Sequence, residues 1–309
     1  MKKISLVTPC YNEEGNVEPL AESIREQMRA FPQYAYEHIY IDNCSTDGTE
    51  QKLRKLAAED ARIKVILNAR NFGHIRSPFH GLLQADGDAV IYMVSDFQDP
   101  PELISELIKF WEVGAKAVLG IKDTSDESGL MFLLRKMYYR LVERLADVAT
   151  YQNFTGFGLY DRQIVDYCRQ LHDPYPYFRG IIAEVGLPVE EIHYHQPKRP
   201  RGITKNNFYT LYDMAMLGIT NHSKIPLRLA TMSGFLMSLF SLMAGLGYLI
   251  LKLLLWQQFP IGVAPLVIGL FLFASVQLFF IGILGEYIGS IHTQVLKRPL
   301  VVEKERINF

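Results

Sequence analysis

Three short stretches concentrate side chains able to hold a polar, charged ligand. They read Thr8-Pro9-Cys10-Tyr11-Asn12-Glu13-Glu14, Asp42-Asn43-Cys44-Ser45-Thr46-Asp47-Gly48-Thr49 and Ser95-Asp96-Phe97-Gln98-Asp99-Pro100-Pro101-Glu102. Carboxylates such as Asp96 suit a hard divalent cation, which uses one or two of them and completes its shell from phosphate and water. Asp99 serves either as a second such ligand or as the cap of a helix starting at Pro100-Pro101. Taken singly, each stretch also reads as ordinary helix capping, with Asp47 and Thr49 placed for it. Three acid- and amide-rich stretches of one character point instead to a nucleotide-type site.

The elements around them explain how they could meet. Apolar runs at 4–8, 38–41, 64–67 and 89–94 alternate with helical patterns at 17–28, 49–58, 77–85 and 101–113. Such alternation predicts an α/β domain with a mainly parallel sheet covered on both faces. Ligands of these sheets bind beyond the carboxyl ends of the strands, which is where the three stretches fall.

Further along, 229–251 and 261–285 are apolar and almost uncharged. At about 1.5 Å per residue each helix would outreach a hydrocarbon core of roughly 30 Å. We read them as a transmembrane hairpin, the alternative being an apolar hairpin buried in an oligomer. Lys198, Arg199, Arg201, Lys205, Lys224 and Arg228 precede the first run, and Lys297, Arg298, Lys304 and Arg306 follow the second. The loop between them carries Trp256 with Lys252 nearby, so the cation bias puts both termini in the cytoplasm. Met1-Lys2-Lys3 leads into an apolar stretch too short for a secretory signal core.

The 309 residues carry a net charge of −1 with 21% charged, which argues against nucleic acid as a main partner. Three cysteines, Cys10, Cys44 and Cys168, show neither paired nor zinc-type spacing and fit a reducing compartment.

The motifs Val7-Thr8-Pro9-x-Tyr11-Asn12-Glu13-Glu14, Ile41-Asp42-Asn43-x-Ser45-x-Asp47-Gly48-Thr49, Asn71-Phe72-Gly73-His74 and Asp96-x-Gln98-Asp99-Pro100-Pro101-Glu102 resemble family-2 nucleotide-sugar glycosyltransferases. With the apolar hairpin, the whole chain is similar to polyprenyl-phosphate glycosyltransferases, such as bactoprenol glucosyltransferases and dolichol-phosphate mannose synthase. The resemblance implies a Rossmann-like glycosyltransferase-A domain that moves a sugar, UDP-glucose being the modal donor, onto polyprenyl phosphate with inversion. It implies donor contacts at Pro9, Asn12 and Glu14, and places Gln98 near metal and phosphates. Asp42 suits the nucleoside. Mg²⁺ or Mn²⁺ would neutralise charge on the departing diphosphate, with Asp96 as the leading ligand.

Two departures stand out. The usual Asp-x-Asp has Val94 in place of its first acid, leaving Asp96 alone. Thr155-Gly156-Phe157-Gly158-Leu159-Tyr160-Asp161-Arg162 carries glycines where the family has an acid and an arginine, implying a different sugar or a changed acceptor geometry. Asp161 is read equally as an acceptor-side group or as a helix cap. A phosphate monoester is already largely ionised at neutral pH, so no strong base is required. Positive charge is required, and Arg199, Arg201 and Lys205 resemble the family's basic stretch before the membrane. Positive-inside clustering that touches anionic lipid is the alternative. Arg76 could meet the diphosphate, or belong to a solvated loop.

The resulting division is 1–205 catalytic, 206–225 interfacial, 226–293 transmembrane and 294–309 a cytoplasmic tail. Residues 131–146 and 208–219 read as interfacial helices or as ordinary packing faces. Gly285-x-x-x-Gly289 would allow close helix packing and oligomers. Glu286 reads as interfacial, and His193-x-His195 lacks a third metal ligand. Besides lipid, the partners implied are a nucleotide sugar and the polyprenyl acceptor; a sugar-nucleotide sensor or scaffold is the alternative class.

Overall fold

A computed structural model describes residues 1–124, 151, 153–197, 216–217, 225–254 and 263–309. Strands β1 (Lys3–Cys10), β2 (Ala35–Asp42), β3 (Ile63–Asn68) and β4 (Ala89–Tyr92) alternate with helices α1 (Val17–Arg29), α2 (Thr49–Glu59) and α3 (Gly73–Gln84). After β4 a 3₁₀ turn, Pro101–Leu103, leads into α4 (Ile104–Glu112). The single helix expected over 101–113 is divided because consecutive prolines hold Pro100 extended before the turn. Next come β5 (Ala117–Thr124), β6 (Phe154–Asp161), α5 (Arg162–Leu171), α6 (Phe178–Val185) and β7 (Val189–His195). Two long helices, α7 (Ile225–Leu254) and α8 (Val263–Leu296), precede β8 (Glu303–Ile307).

The strands form one sheet in the order β7-β5-β6-β4-β1-β2-β3-β8. Strands β6 and β8 run against the rest. Register aligns Cys10 with Asp42 and Val7 with Tyr92, so the carboxyl ends of β1, β2 and β4 open on the same edge. Continuous burial along β1, β2 and β3 reflects helices on both faces, as their unbroken apolar runs require. On one face Leu20, Ile24, Ile104 and Ile108 pack against Ile4, Leu6 and Ile91; on the other, Phe79 and Leu82 pack with Val7, Ile39 and Ile41.

Two differences from the sequence expectation bear on the site. Helix α3 begins at Gly73, ahead of the expected 77. The stretch 294–309, read as a tail, contributes the last turn of α8 and an edge strand: β8 pairs antiparallel with β3, Val65 opposite Ile307 and Leu67 opposite Glu305.

Helices α7 and α8 contain stretches long and apolar enough to cross a membrane, Ile225–Gly247 and Leu272–Leu296, with mean hydropathies of 1.7 and 1.6. The second lies further along the chain than the 261–285 read from the sequence. Their large apolar side chains face outward, Phe240 at 65% and Phe279 at 66% exposure. A continuous outward apolar surface marks contact with lipid or another chain.

Candidate active site

The loops after β1 and β2 are bonded into one unit. Asn12 takes a left-handed backbone, φ 58°, which asparagine tolerates. Its amide oxygen accepts from Thr46 N–H at 2.8 Å, and its own N–H donates to Ser45 Oγ at 2.8 Å. Ser45 in turn donates through its N–H to Asp42 Oδ2 at 3.0 Å and through its hydroxyl to Asp42 Oδ1. Asp42 is 1% exposed, and burial raises its proton affinity against the opposing hydrogen bonds from Ser45. The Glu14 carboxylate accepts from Gly48 N–H at 3.2 Å, while Glu14 N–H donates to Asp47. Asp47 also caps Thr49 N–H at 3.0 Å, so the capping reading holds for this acid.

A second network, which the sequence reading passed over, extends this unit to the loop after β3. Asn43 Oδ1 accepts from Phe72 N–H at 2.9 Å, and its amide donates to Asn71 Oδ1 at 2.9 Å and to the Gly73 carbonyl. Asn68 bridges Asn43 and Ser77. The Asn-rich composition of these loops was the available signal.

The loop after β4 joins the same edge through Ser95 Oγ, which donates to the Pro9 carbonyl at 3.3 Å. Phe97 has φ 59°, an uncommon conformation for an aromatic residue and of the kind that gathers at functional sites. It sits between Asp96, 6% exposed, and Gln98, whose N–H donates to Asp96 Oδ1 at 3.1 Å. Asp99 does not cap the following turn. One of its oxygens accepts from Val94 N–H at 3.0 Å and the other from Tyr194 OH at 3.1 Å. Burial lifts its pKa to about 7. Asp99 thus ties the loop to β7 with both oxygens already engaged, an arrangement that favours a structural role over metal ligation.

Pro9, Asn12, Glu14, Asp42, Asp96 and Gln98 are therefore brought together, and two other residues expected with them are not. Asp161 lies opposite Ala89, the first residue of β4, and so at the far end of the sheet. There it caps α5 through Gln163 N–H, accepts from Trp111 Nε1 at 2.8 Å and pairs with Lys116 at 3.2 Å. Antiparallel β6 is what carries its motif to this end, away from the gathered loops. Arg76 donates to the Pro299 carbonyl and lies over the Phe72 ring, facing the segment after α8. Arg199, Arg201 and Lys205 lie outside the described residues, as do the interfacial stretch 131–146 and all of 208–219 except 216–217.

Beside the Asp96 loop lies a cavity of about 90 Å³ lined by His74, Tyr92, Thr155, Gly156, Phe178 and Arg179 among others. Arg179, absent from the sequence expectations, places a cation here and donates to the Phe154 carbonyl at 3.3 Å. The glycines that depart from the family pattern have local causes. Gly156 has φ +106°, and a side chain at Gly158 would meet the Val118 carbonyl at 2.3 Å. Among the described residues no group of three or more His, Cys, Asp or Glu is placed to hold a metal. Asp96 with the Gln98 amide fits a hard cation that shares its remaining ligands with phosphate and water.

Residues 5–169 match the family described as glycosyl transferase family 2. Over 304 residues the chain is 34% identical to the SfII prophage-derived bactoprenol glucosyl transferase of Shigella flexneri, covering 98% of each. Over 303 residues it is 31% identical to the prophage bactoprenol glucosyl transferase homolog of Escherichia coli (strain K12), again covering 98% of each. Among solved structures it is similar to glucosyl-3-phosphoglycerate synthase from Mycobacterium tuberculosis in complex with Mn²⁺, UDP and glucosyl-3-phosphoglycerate. There the TM-score is 0.48 at 19% identity, over 71% of this chain and 78% of that one. With its mainly parallel α/β domain and a match to curated relatives over nearly its whole length, the chain belongs to glycosyltransferase family 2.

Proposed function

We propose that the protein transfers glucose from UDP-glucose to polyprenyl (undecaprenyl) phosphate at the cytoplasmic face of the membrane, with inversion, for cell-envelope glycan modification. The observation that carries the reading is the gathering of Pro9, Asn12, Glu14, Asp42 and Asp96 on one sheet edge, in a chain matched end to end with bactoprenol glucosyl transferases. The bonded loops after β1 and β2 receive the nucleoside, with Asp42 held by Ser45 so that its position is fixed before the donor arrives.

Mg²⁺ or Mn²⁺ held at Asp96 would neutralise charge developing on the leaving diphosphate. Gln98 N–H orients that carboxylate. In the reaction a lipid phosphate oxygen attacks the anomeric carbon as the bond to the diphosphate oxygen breaks on the opposite face, a single displacement that inverts the centre. The acceptor needs no base, because its second pKa of about 6 leaves it ionised. What this chain supplies is positive charge and alignment, from Arg199, Arg201 and Lys205 before the first apolar helix and from Arg179 in the cavity beside the Asp96 loop.

The test is transfer of radiolabelled sugar from a panel of UDP- and GDP-sugars into organic-extractable lipid, using purified protein, undecaprenyl phosphate and Mg²⁺ or Mn²⁺. Metal-dependent labelling from UDP-glucose is expected. Asp96→Ala should lower turnover on the order of 100-fold or more with the fold intact, since a preorganised charge stabiliser is lost. Arg201→Ala should mainly raise the lipid concentration required. Nucleotide binding with no label from any donor would replace this reading with that of a sensor.

A further inference from the structure

A second cavity, about 640 Å³, lies where α8 ends. Buried Phe79 and half-buried Leu83 and Leu300 form its apolar floor, Leu171 is exposed at its edge, and Arg169, His172, Lys297 and Arg298 also line it. The volume falls within the roughly 300–1,000 Å³ of small-molecule sites. Apart from Phe79, none of its lining residues lines the cavity beside Asp96, and no residue of the loop after β4 reaches it.

The charges around it are unevenly compensated. Arg169 is committed to the Leu83 and Ala85 carbonyls and to Asp166. Asp173, the one carboxylate among the lining residues, accepts from Gln294 Nε2 and from Tyr175 N–H, both at 2.8 Å. Lys297 and Arg298 are exposed and form no ion pair among the described residues. Arg76 adds to the crowding: its buried Nε has no hydrogen-bond partner. Burial, and then the like charges of Arg70 and Arg298, depress its guanidinium below the ordinary value.

We propose that this cavity binds one anionic phospholipid, its phosphodiester on Lys297 and Arg298 and the start of its acyl chain on the apolar floor. The inference rests on the reading that α7 and α8 cross the bilayer. Lys297 follows directly on Leu296, where the apolar stretch of α8 ends, so the cations stand at headgroup depth. Basic pockets at the cytoplasmic ends of membrane helices suit acidic headgroups. Occupancy by the polyprenyl acceptor is the outcome that competition must exclude: this cavity shares only Phe79 with the one lined by Tyr92 and Arg179, and no residue of the Asp96 loop lines it.

The full-length protein, purified in mild detergent, would be titrated with dioleoylphosphatidylglycerol or dioleoylphosphatidylcholine and followed by native mass spectrometry, with and without undecaprenyl phosphate. One phosphatidylglycerol per chain is expected, favoured over phosphatidylcholine and still bound when undecaprenyl phosphate is saturating. The paired variant Lys297→Gln/Arg298→Gln should bind it on the order of tenfold more weakly. Lys297→Arg/Arg298→Lys should bind like the wild type, which separates lost charge from lost folding. Equal binding of both lipids, an unaffected glutamine pair, or displacement by undecaprenyl phosphate would each overturn the proposal. Recovery of the chain from the soluble rather than the membrane fraction would overturn the bilayer reading along with it; a membrane-bound chain without lipid preference overturns this inference alone.

Discussion

Glu37 and His38 sit on β2 away from the catalytic edge, and both make the fold sensitive to acid. Glu37, 2% exposed, would be driven up by burial, but hydrogen bonds from Lys3, Lys64, Ser5 and the Asp86 N–H hold it at about 2. His38 is buried beside Thr8, and desolvation lowers it to about 3. The signs agree. The unfolded chain takes up the histidine proton below about 6.5 and the folded one does so only near 3, so stability falls across that window. The glutamate contribution is complete above about 4.5 and is lost as pH falls through about 2. Glu37→Gln should cost about 1–3 kcal/mol at neutral pH, as expected for lost charge-assisted hydrogen bonds. Denaturant midpoints against pH should then become shallower below 4.5, where the glutamate share is lost, and keep the histidine slope from 6.5 down to about 3; an unchanged acid limb would refute the assignment. At this scale the sequence was most legible where a side chain serves its own loop, as Asp42 does with Ser45 and Asp47 with Thr49. It was least legible where the partner is remote, since nothing near Asp99 announces Tyr194 and nothing near Arg76 announces Pro299.

Elements show the same division. The first four strands and their helices were readable from alternating periodicity, since each is continuous and locally bounded. Strand direction was not readable: β6 runs antiparallel between β4 and β5, which carries Asp161 away from the site its motif implied. Strand β8, Glu-Lys-Glu-Arg-Ile, has the composition of a polar tail and becomes a strand only because the β3 edge is open to it. Its ion pairs, Arg54 with Glu305 at 2.6 Å and Lys304 with Glu50 at 3.3 Å, lie at the solvent-screened surface and contribute little. The backbone ladder, together with Asn308 donating to the Ala57 and Ile63 carbonyls, holds more. Removal of residues 303–309 should therefore lower the melting temperature clearly and promote aggregation through the uncovered edge, whereas Arg54→Ala should do little. Thermal unfolding with size-exclusion chromatography compares the two; equal effects would place the stability in the ion pairs.

For the whole molecule, two helices are long and apolar enough to span a membrane, and the cations flanking them lead us to propose that the catalytic domain and both termini lie on one side and the short connection on the other. A membrane-impermeant thiol reagent should label Gln258→Cys in intact spheroplasts and Lys304→Cys only after permeabilisation. The opposite pattern would invert the topology. The pairing of β8 with β3 then sets an order on biosynthesis. The domain made first from β1 to β7 leaves the β3 edge uncovered while α7 and α8 leave the ribosome, and the covering strand is synthesised only after both. On the proposed topology, residues 303–307 return to that edge only after both apolar helices have been made, so completion of the sheet would follow their insertion and report on it.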